Sequence, residues 1–162
     1  MFDKDTSYLD KLEETQKGKY LTFSLGDEYY GIEILFVTEI IGIQPITVMP
    51  ELPDYMRGVI NLRGEIVPVL DARSRFGKVV LEYNERTCII VVNVSGLSIG
   101  IIVDAVSEVL IIDEHNIVPP PVIFNSGLNY IKAIGKNDEQ VVLILDCAKI
   151  LSDDELDLIR GI

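Results

Sequence analysis

The stretch GVINLRGEIVPVLDAR, residues 58–73, places two apolar runs on either side of the dipeptide Arg63–Gly64. Two-residue β-hairpin turns need positive φ angles, which glycine adopts without steric cost, so this pattern predicts a hairpin. Strand alternation then turns Arg63 to the side opposite Leu62, at the tip of an otherwise apolar hairpin. The stretch therefore predicts a β-rich fold and an arginine whose position has to be explained.

The same pattern recurs along the chain and predicts a mainly β fold. The segment KYLTFSLG, residues 19–26, alternates apolar and polar side chains with the period of a strand, and a return strand follows it. Ser95–Gly96 and Asn137–Asp138 each separate two apolar runs, which predicts two further hairpins.

The two ends of the chain differ from the strands between them. Ser152 and Glu155 have the spacing of a capping box, which predicts a short C-terminal helix. Leu9 and Leu12 have the spacing of one helical face and suggest a frayed N-terminal helix. We therefore divide the chain into an extension (1–18), one domain of two interlocked β subdomains (19–152) and a C-terminal helix (153–162).

Two halves of the chain repeat each other. Residues 69 positions apart match at Gly31 and Gly100, Val37 and Val106, and Glu39 and Glu108. Farther along the spacing is 75, with matches at Tyr55 and Tyr130 and at Asp71 and Asp146. The repeat predicts two small β-barrels that pack together and stabilise each other, because each half alone is marginal in size. Chance similarity between apolar hairpins is the alternative explanation.

The charge of the chain narrows the classes of partner. The 162 residues include 14 Lys and Arg and 26 Asp and Glu, a net charge of −12, which disfavours nucleic acid and anionic lipid. No apolar run reaches the roughly 18 residues of a membrane span, and the charged N-terminus lacks a secretion signal. We expect a cytoplasmic protein that does not insert into the membrane.

No pattern in the sequence predicts a cofactor. The glycine-rich motifs that bind nucleotides are absent, as are closely spaced Cys and His ligands for a metal. Cys88 and Cys147 lie in apolar runs and are predicted to be buried free thiols. His115 lies in a polar turn and is interpreted as a solvated loop residue rather than a catalytic base.

Three aspartates leave an enzymatic alternative open. Asp71, Asp104 and Asp146 each end an apolar strand, and three carboxylates could gather around Mg²⁺. Aspartate also accepts backbone hydrogen bonds where a strand gives way to a turn. We favour this structural interpretation, because Asp71 and Asp146 occupy the same position in the two repeats.

Arg63 has three interpretations. Its guanidinium suits a planar, bidentate contact with a carboxylate. Glu39 is a candidate acceptor within the chain, and a Glu or Asp of a partner protein is the functional alternative. An ordinary surface arginine would need neither.

At this hairpin the sequence resembles a known family. MRGVINLRGEIVPVLDAR is similar to the signature of the CheW family, the coupling proteins of bacterial chemotaxis. KYLTFSLGDEYYGIEILFVTEI, IGIIVDAVSEVL and GLNYIKAIGKNDEQVVLILDCAKIL resemble further family segments in the same order. The resemblance covers residues 18–152.

The resemblance implies a non-enzymatic adaptor built from two five-stranded SH3-like barrels. Such a protein would couple the cytoplasmic tips of methyl-accepting chemoreceptors to the regulatory domain of the chemotaxis histidine kinase. It would be a monomer when isolated, without a cofactor, and would be recruited to membrane-associated receptor arrays.

The resemblance also implies two docking surfaces. The receptor-facing residues would be Glu39, Arg63, Cys88 and Gly100, near a groove between the barrels, and the kinase-facing residues Leu21, Ile34 and Val37. Packing in the core is the alternative for each of the last three. A scaffold module of another signalling complex is the remaining alternative for the whole chain.

Overall fold

The computed structural model describes Lys11, residues 14–121 and residues 130–161. In chain order the strands are β1 (Lys19–Leu25), β2 (Glu28–Glu33), β3 (Val37–Gly42), β4 (Met56–Leu62), β5 (Glu65–Asp71), β6 (Cys88–Val94), β7 (Leu97–Val103), β8 (Ala105–Ile111), β9 (Ile117–Val118), β10 (Ile131–Asn137) and β11 (Gln140–Leu145). Helix α1 (Ala72–Arg75) follows β5, and helix α2 (Asp153–Arg160) ends the described chain. Short 3₁₀ turns occur at Ile34–Phe36, Glu114–Asn116 and Cys147–Lys149.

The strands form two sheets, each of which curves into a small SH3-like barrel. One sheet has the order β8-β1-β2-β11-β10-β9, and the other has the order β3-β6-β7-β5-β4. Most neighbours are antiparallel, but β2 runs parallel to β11 and β5 runs parallel to β7. The mainly β prediction is confirmed. The first sheet has six strands instead of five, because the short β9 pairs with β10.

The repeat is visible in the bounds of the strands. A shift of 69 positions carries β1 onto β6, and a shift of 75 carries β4 onto β10. The two barrels are present, but neither is built from one half of the chain alone. The hairpin β1–β2 lies between β8 and β11 of the second half, and the hairpin β6–β7 lies between β3 and β5 of the first half. The halves therefore exchange their first hairpins.

The largest hydrophobic core lies between the two sheets. It takes Phe23 and Ile32 from one sheet and Ile90 and Ile101 from the other, and we call it the shared core. Each barrel also has a smaller core of its own, such as the cluster around Val69 in the five-stranded sheet. Because burial of apolar surface drives folding, the two barrels stabilise each other through the shared core.

The predicted hairpin turns are present. Arg63 and Ser95 both have a φ of 52° and are followed by Gly64 and Gly96, which also have positive φ. In each turn an asparagine three residues before the glycine accepts a hydrogen bond from the glycine N–H, at 2.8 and 3.0 Å. The last hairpin turns one residue later than predicted, because Asn137 pairs with Gln140 and Asp138 takes the positive φ.

The predicted C-terminal helix is present as α2. Ser152 and Glu155 form the capping box, and Leu156 and Ile159 bury their side chains in the shared core. Leu9 and Leu12, which suggested an N-terminal helix, lie outside the described residues. Among the residues that the structure describes, no helix is long and apolar enough to cross a membrane.

Candidate functional site

The Arg63 side chain spans the gap between the two outer strands of the five-stranded sheet. Glu39 lies on β3, and Arg63 lies in the turn that follows β4 at the opposite edge. Nη2 of Arg63 donates a hydrogen bond to Oε2 of Glu39, and this bond raises the pKa of Arg63. The Arg63 side chain is 71% exposed and that of Glu39 is 28% exposed. The structure therefore contains Glu39 as the acceptor for Arg63, and the guanidinium remains exposed to solvent.

Cys88 lies on the strand next to the edge strand β3. It is half-buried on β6, opposite Gly42 of β3, and its Sγ donates to the carbonyl oxygen of Arg86 at 3.2 Å. Ile40 is on the same side of the sheet as Cys88 and is 44% exposed. We call Glu39, Ile40, Arg63 and Cys88 the β3–β6 edge. It combines a reachable ion pair with partly exposed apolar and thiol groups.

Gly100 does not lie on a surface, and the expectation that it would is corrected. It is buried on β7 between Val91 of β6 and Val69 of β5, whose side chains form the small core of this barrel. A Cβ atom at Gly100 would lie 2.8 Å from Cγ2 of Ile89 and 3.2 Å from Cγ2 of Val69. Glycine is therefore needed for close packing of the strands beneath the β3–β6 edge.

The predicted kinase-facing residues separate into two environments. Leu21 is 3% exposed and belongs to the shared core, so its placement on a surface is corrected in favour of core packing. Ile34 and Val37 are partly buried against that core. Leu35, which lies between them in the 3₁₀ turn, is 48% exposed. We call Ile34, Leu35 and Val37 the 34–37 patch.

The sequence did not lead us to name Ile40 and Leu35 as exposed apolar residues of the two surfaces. Each lies next to a residue that was singled out, in the segments VTEIIG and ILF. The alternation of side chains along β3 could have identified Ile40. It places Ile40 on the face opposite to Glu39, and an edge strand leaves part of that face open to solvent. No such signal exists for Leu35, since three consecutive apolar residues do not reveal which one a 3₁₀ turn leaves outside.

Two of the three strand-end aspartates accept hydrogen bonds from within the chain on both carboxylate oxygens. Asp71 is 2% exposed and accepts from the backbone N–H of Ser74 at 3.2 Å and from the Tyr83 hydroxyl at 2.7 Å. Asp104 accepts from Nε and Nη2 of Arg73 at 2.7 and 2.5 Å. The Arg73 hydrogen bonds hold the pKa of Asp104 below its usual value.

Asp146 is the third strand-end aspartate and accepts from the backbone N–H of Ala148 at 3.1 Å. It follows β11 in the six-stranded sheet, whereas Asp71 ends β5 in the other sheet. Across residues 14–121 and 130–161, no three His, Cys, Asp or Glu side chains are arranged to hold a metal ion. Asp71 and Asp146 are therefore N-caps of the helical turns that follow their strands, and Asp104 forms an ion pair with Arg73.

The chain and its fold can be compared with known proteins. A family model described as the CheW-like domain matches residues 19–155. The chain belongs to the CheW family. A protein named chemotaxis protein CheW from Klebsiella aerogenes is 38% identical over 150 residues, which are 92% of this chain and 90% of that protein. A namesake from Treponema pallidum is 33% identical over 141 residues, 84% and 83% of the two chains.

A solved structure has the same fold. The scaffolding protein TtCheW from Thermoanaerobacter tengcongensis superposes with a TM-score of 0.80 at 37% sequence identity, over 85% of this chain and 94% of that one. The CheW family consists of adaptors rather than enzymes, so this chain is a chemotaxis adaptor or scaffold protein.

Proposed function

We propose that this CheW-family protein couples the cytoplasmic tips of methyl-accepting chemoreceptors to the regulatory domain of the chemotaxis histidine kinase. In this role it promotes assembly of the signalling complex and control of the kinase. The observation that carries the proposal is the β3–β6 edge, which offers the exposed ion pair of Arg63 with Glu39 and, on the other side of β3, the partly exposed Ile40 and Cys88.

The β3–β6 edge is the proposed receptor-facing surface. A receptor tip is a helical hairpin, and an amphipathic helix binds by placing apolar side chains in a groove and polar ones at its rim. Ile40 and Cys88 lie on the side of the sheet that faces the shared core, and they offer the apolar contact. Glu39 and Arg63 offer a carboxylate and a planar guanidinium at the rim. Gly100 acts beneath the surface by allowing the strands to pack closely.

The 34–37 patch is the proposed kinase-facing surface. Ile34 and Val37 are partly exposed, Leu35 is 48% exposed, and Leu21 supports the patch from the shared core. A regulatory domain of like fold would bury this apolar patch against one of its own barrels. Burial of apolar area supplies the stabilisation in such a contact, and its fully buried centre excludes water.

The proposal also covers location and assembly state. The protein works in the cytoplasm as a monomer and reaches the membrane-associated receptor arrays through the receptors. Its net charge of −12 supports protein partners over anionic lipid or nucleic acid.

Arg63→Ala tests the proposal directly. We expect the variant to fold and to bind a receptor-tip fragment or the kinase regulatory domain about two- to fivefold more weakly, because an exposed cation at the rim is lost. Titration calorimetry against each partner separately gives the affinity, and thermal melting checks the fold. Lys136→Ala is the matched control, because Lys136 is an exposed cation near the tip of the β10–β11 hairpin in the other sheet.

Two outcomes would count against this assignment. Unchanged binding of a folded Arg63→Ala variant removes Arg63 from the docking surface. A fall in binding that matches a fall in melting temperature, reproduced by Glu39→Gln, means that the ion pair acts only within the barrel. Failure of the unmodified protein to bind either partner would overturn the proposed function itself.

A further inference from the structure

Arg75 lies where the two halves of the repeat meet. Its guanidinium carbon is 4.8 Å from the ring centre of Tyr55 and 5.6 Å from that of Tyr130, and these tyrosines are repeat equivalents. Nε of Arg75 donates to the carbonyl oxygen of Ile150 at 2.6 Å, and Ile150 is the repeat equivalent of Arg75 itself. Arg75 therefore lies close to the axis that relates the two halves, and the second half contributes no matching cation there.

The hydrogen-bonding capacity of Arg75 is only partly used. Within residues 14–121 and 130–161, Nε has a hydrogen-bond partner, whereas Nη1 and Nη2 have none. In the same described part of the chain, Arg75 and Lys149 take no part in an ion pair, although other Arg and Lys side chains do. A guanidinium held by aromatic rings and one carbonyl retains free donors for a carboxylate.

Arg75 and Lys149 line one groove on the surface. The groove has a volume of about 530 Å³, and Tyr130, Leu151 and Ser152 also line it. Lys149 is exposed, and Leu151 and Tyr130 supply an apolar floor. Asp153 is the single carboxylate among the lining residues. Two cations that form no ion pair with the described residues thus face a groove in a protein whose net charge is −12.

We propose that this groove binds an acidic segment of a partner protein, with a Glu or Asp side chain between Arg75 and Lys149 and an apolar side chain against Leu151. Charge complementarity at short range favours such a segment. The repulsion from the rest of the protein is screened over about 8 Å at physiological ionic strength. The groove shares no residue with the β3–β6 edge or the 34–37 patch, so this docking surface is additional to those of the proposed function.

Binding of model peptides tests the proposal. The probes are a fluorescein-labelled nonapeptide of alternating Glu and Leu and its analogue with Gln in place of Glu, titrated with the full chain. We expect the Glu peptide to bind more tightly than the Gln peptide. Addition of the Glu peptide should shift the backbone amide signals of Lys149, Leu151 and Ser152 in heteronuclear NMR spectra.

Three substitutions locate the binding. Lys149→Gln should weaken Glu-peptide binding about two- to fivefold, as expected for one exposed ion pair. Asp153→Asn should strengthen it, because the only carboxylate of the lining is removed. Lys136→Gln is the matched control and should leave the affinity unchanged. Lys149 is exposed, so Lys149→Gln leaves the core intact, whereas loss of Arg75 would also remove its contacts with both tyrosines.

Several outcomes would overturn the proposal. They are equal affinity for the Glu and Gln peptides, an equal loss of affinity in Lys149→Gln and Lys136→Gln, and amide shifts centred outside the groove. Each of these can occur while the receptor and kinase fragments still bind, so the inference and the proposed function fail independently.

Discussion

Asp104 shows how this chain uses a carboxylate at the end of a strand. It accepts two hydrogen bonds from the Arg73 guanidinium and one from the backbone N–H of Gly26 at 2.8 Å. It thereby ties the end of β7 to α1 and to the β1–β2 turn. The sequence marks the position as special but does not distinguish a structural hydrogen-bond acceptor from a metal ligand, because both need a carboxylate at a strand end.

Asp104→Asn should lower the free energy of unfolding at pH 7 by about 1–3 kcal/mol, because a hydrogen-bonded charge is lost. The pKa of Asp104 is lowered in the folded state, chiefly by the hydrogen bonds from Arg73. Its stabilisation is therefore fully present above the unfolded pKa of about 4 and disappears as the pH falls through the lower folded value.

Urea denaturation from pH 7 to pH 2 measures this dependence. The difference between Asp104→Asn and the unmodified protein should shrink towards acid pH. Asp138→Asn is the control, since Asp138 is exposed in a turn at a φ of 54°, which Asn tolerates. A difference that does not change with pH would show that the charge of Asp104 contributes no stability.

A pairing between two charged side chains could be predicted from the sequence, whereas the burial of a single residue could not. Glu39 was named from the sequence as an acceptor for Arg63, and the two form an ion pair. The placements of Leu21 and Gly100 on a surface were wrong, because exposure depends on which strands flank a residue. The partner that each docking residue contacts stays a prediction.

At the scale of the element, turn chemistry was the most reliable guide. The Arg63–Gly64 and Ser95–Gly96 turns were predicted because glycine with positive φ leaves few alternatives. The end of β7 directly before Asp104 agrees with the prediction that this aspartate ends an apolar strand. The division of the chain at residues 18 and 152 stays a prediction, although α2 packs into the shared core.

Strand β7 provides the test at this scale. Gly100→Ala should destabilise the protein by about 1–3 kcal/mol, because the added methyl group would press on Ile89 and Val69 in a packed core. Gly42→Ala is the matched control, since Gly42 also lies in a strand but has no atom within 4 Å of an added Cβ. Equal urea midpoints for the two variants would contradict the close packing inferred for β7.

At the scale of the molecule, the repeat was predictable and the exchange of hairpins was not. A constant spacing shows which segments are equivalent, as with β1 and β6, but does not show which segments pair. Pairing within a half and pairing across halves give the same sequence signal. Burial favours the exchange here, because it places both hairpins against one shared core.

The exchange predicts how fragments behave. Residues 1–86 and 87–162 correspond to the two halves, and neither contains all strands of either sheet. We expect each fragment alone to be unfolded and the mixture to regain the circular dichroism of the intact chain. Residues 34–104 form a control of similar length that contains the whole five-stranded sheet, and they should retain more β structure than residues 87–162. A folded 87–162 fragment would refute the exchange.

The five-stranded sheet is built entirely from residues 37–103, whereas the other sheet needs residues 19–33 together with residues 105–145. During synthesis on the ribosome, all strands of the five-stranded sheet are therefore complete when the six-stranded sheet has only its first hairpin, β1–β2. The two edges of the β1–β2 hairpin stay unpaired until β8 and β11 emerge. A nascent chain stalled near residue 110 would be the form most exposed to aggregation and to capture by chaperones.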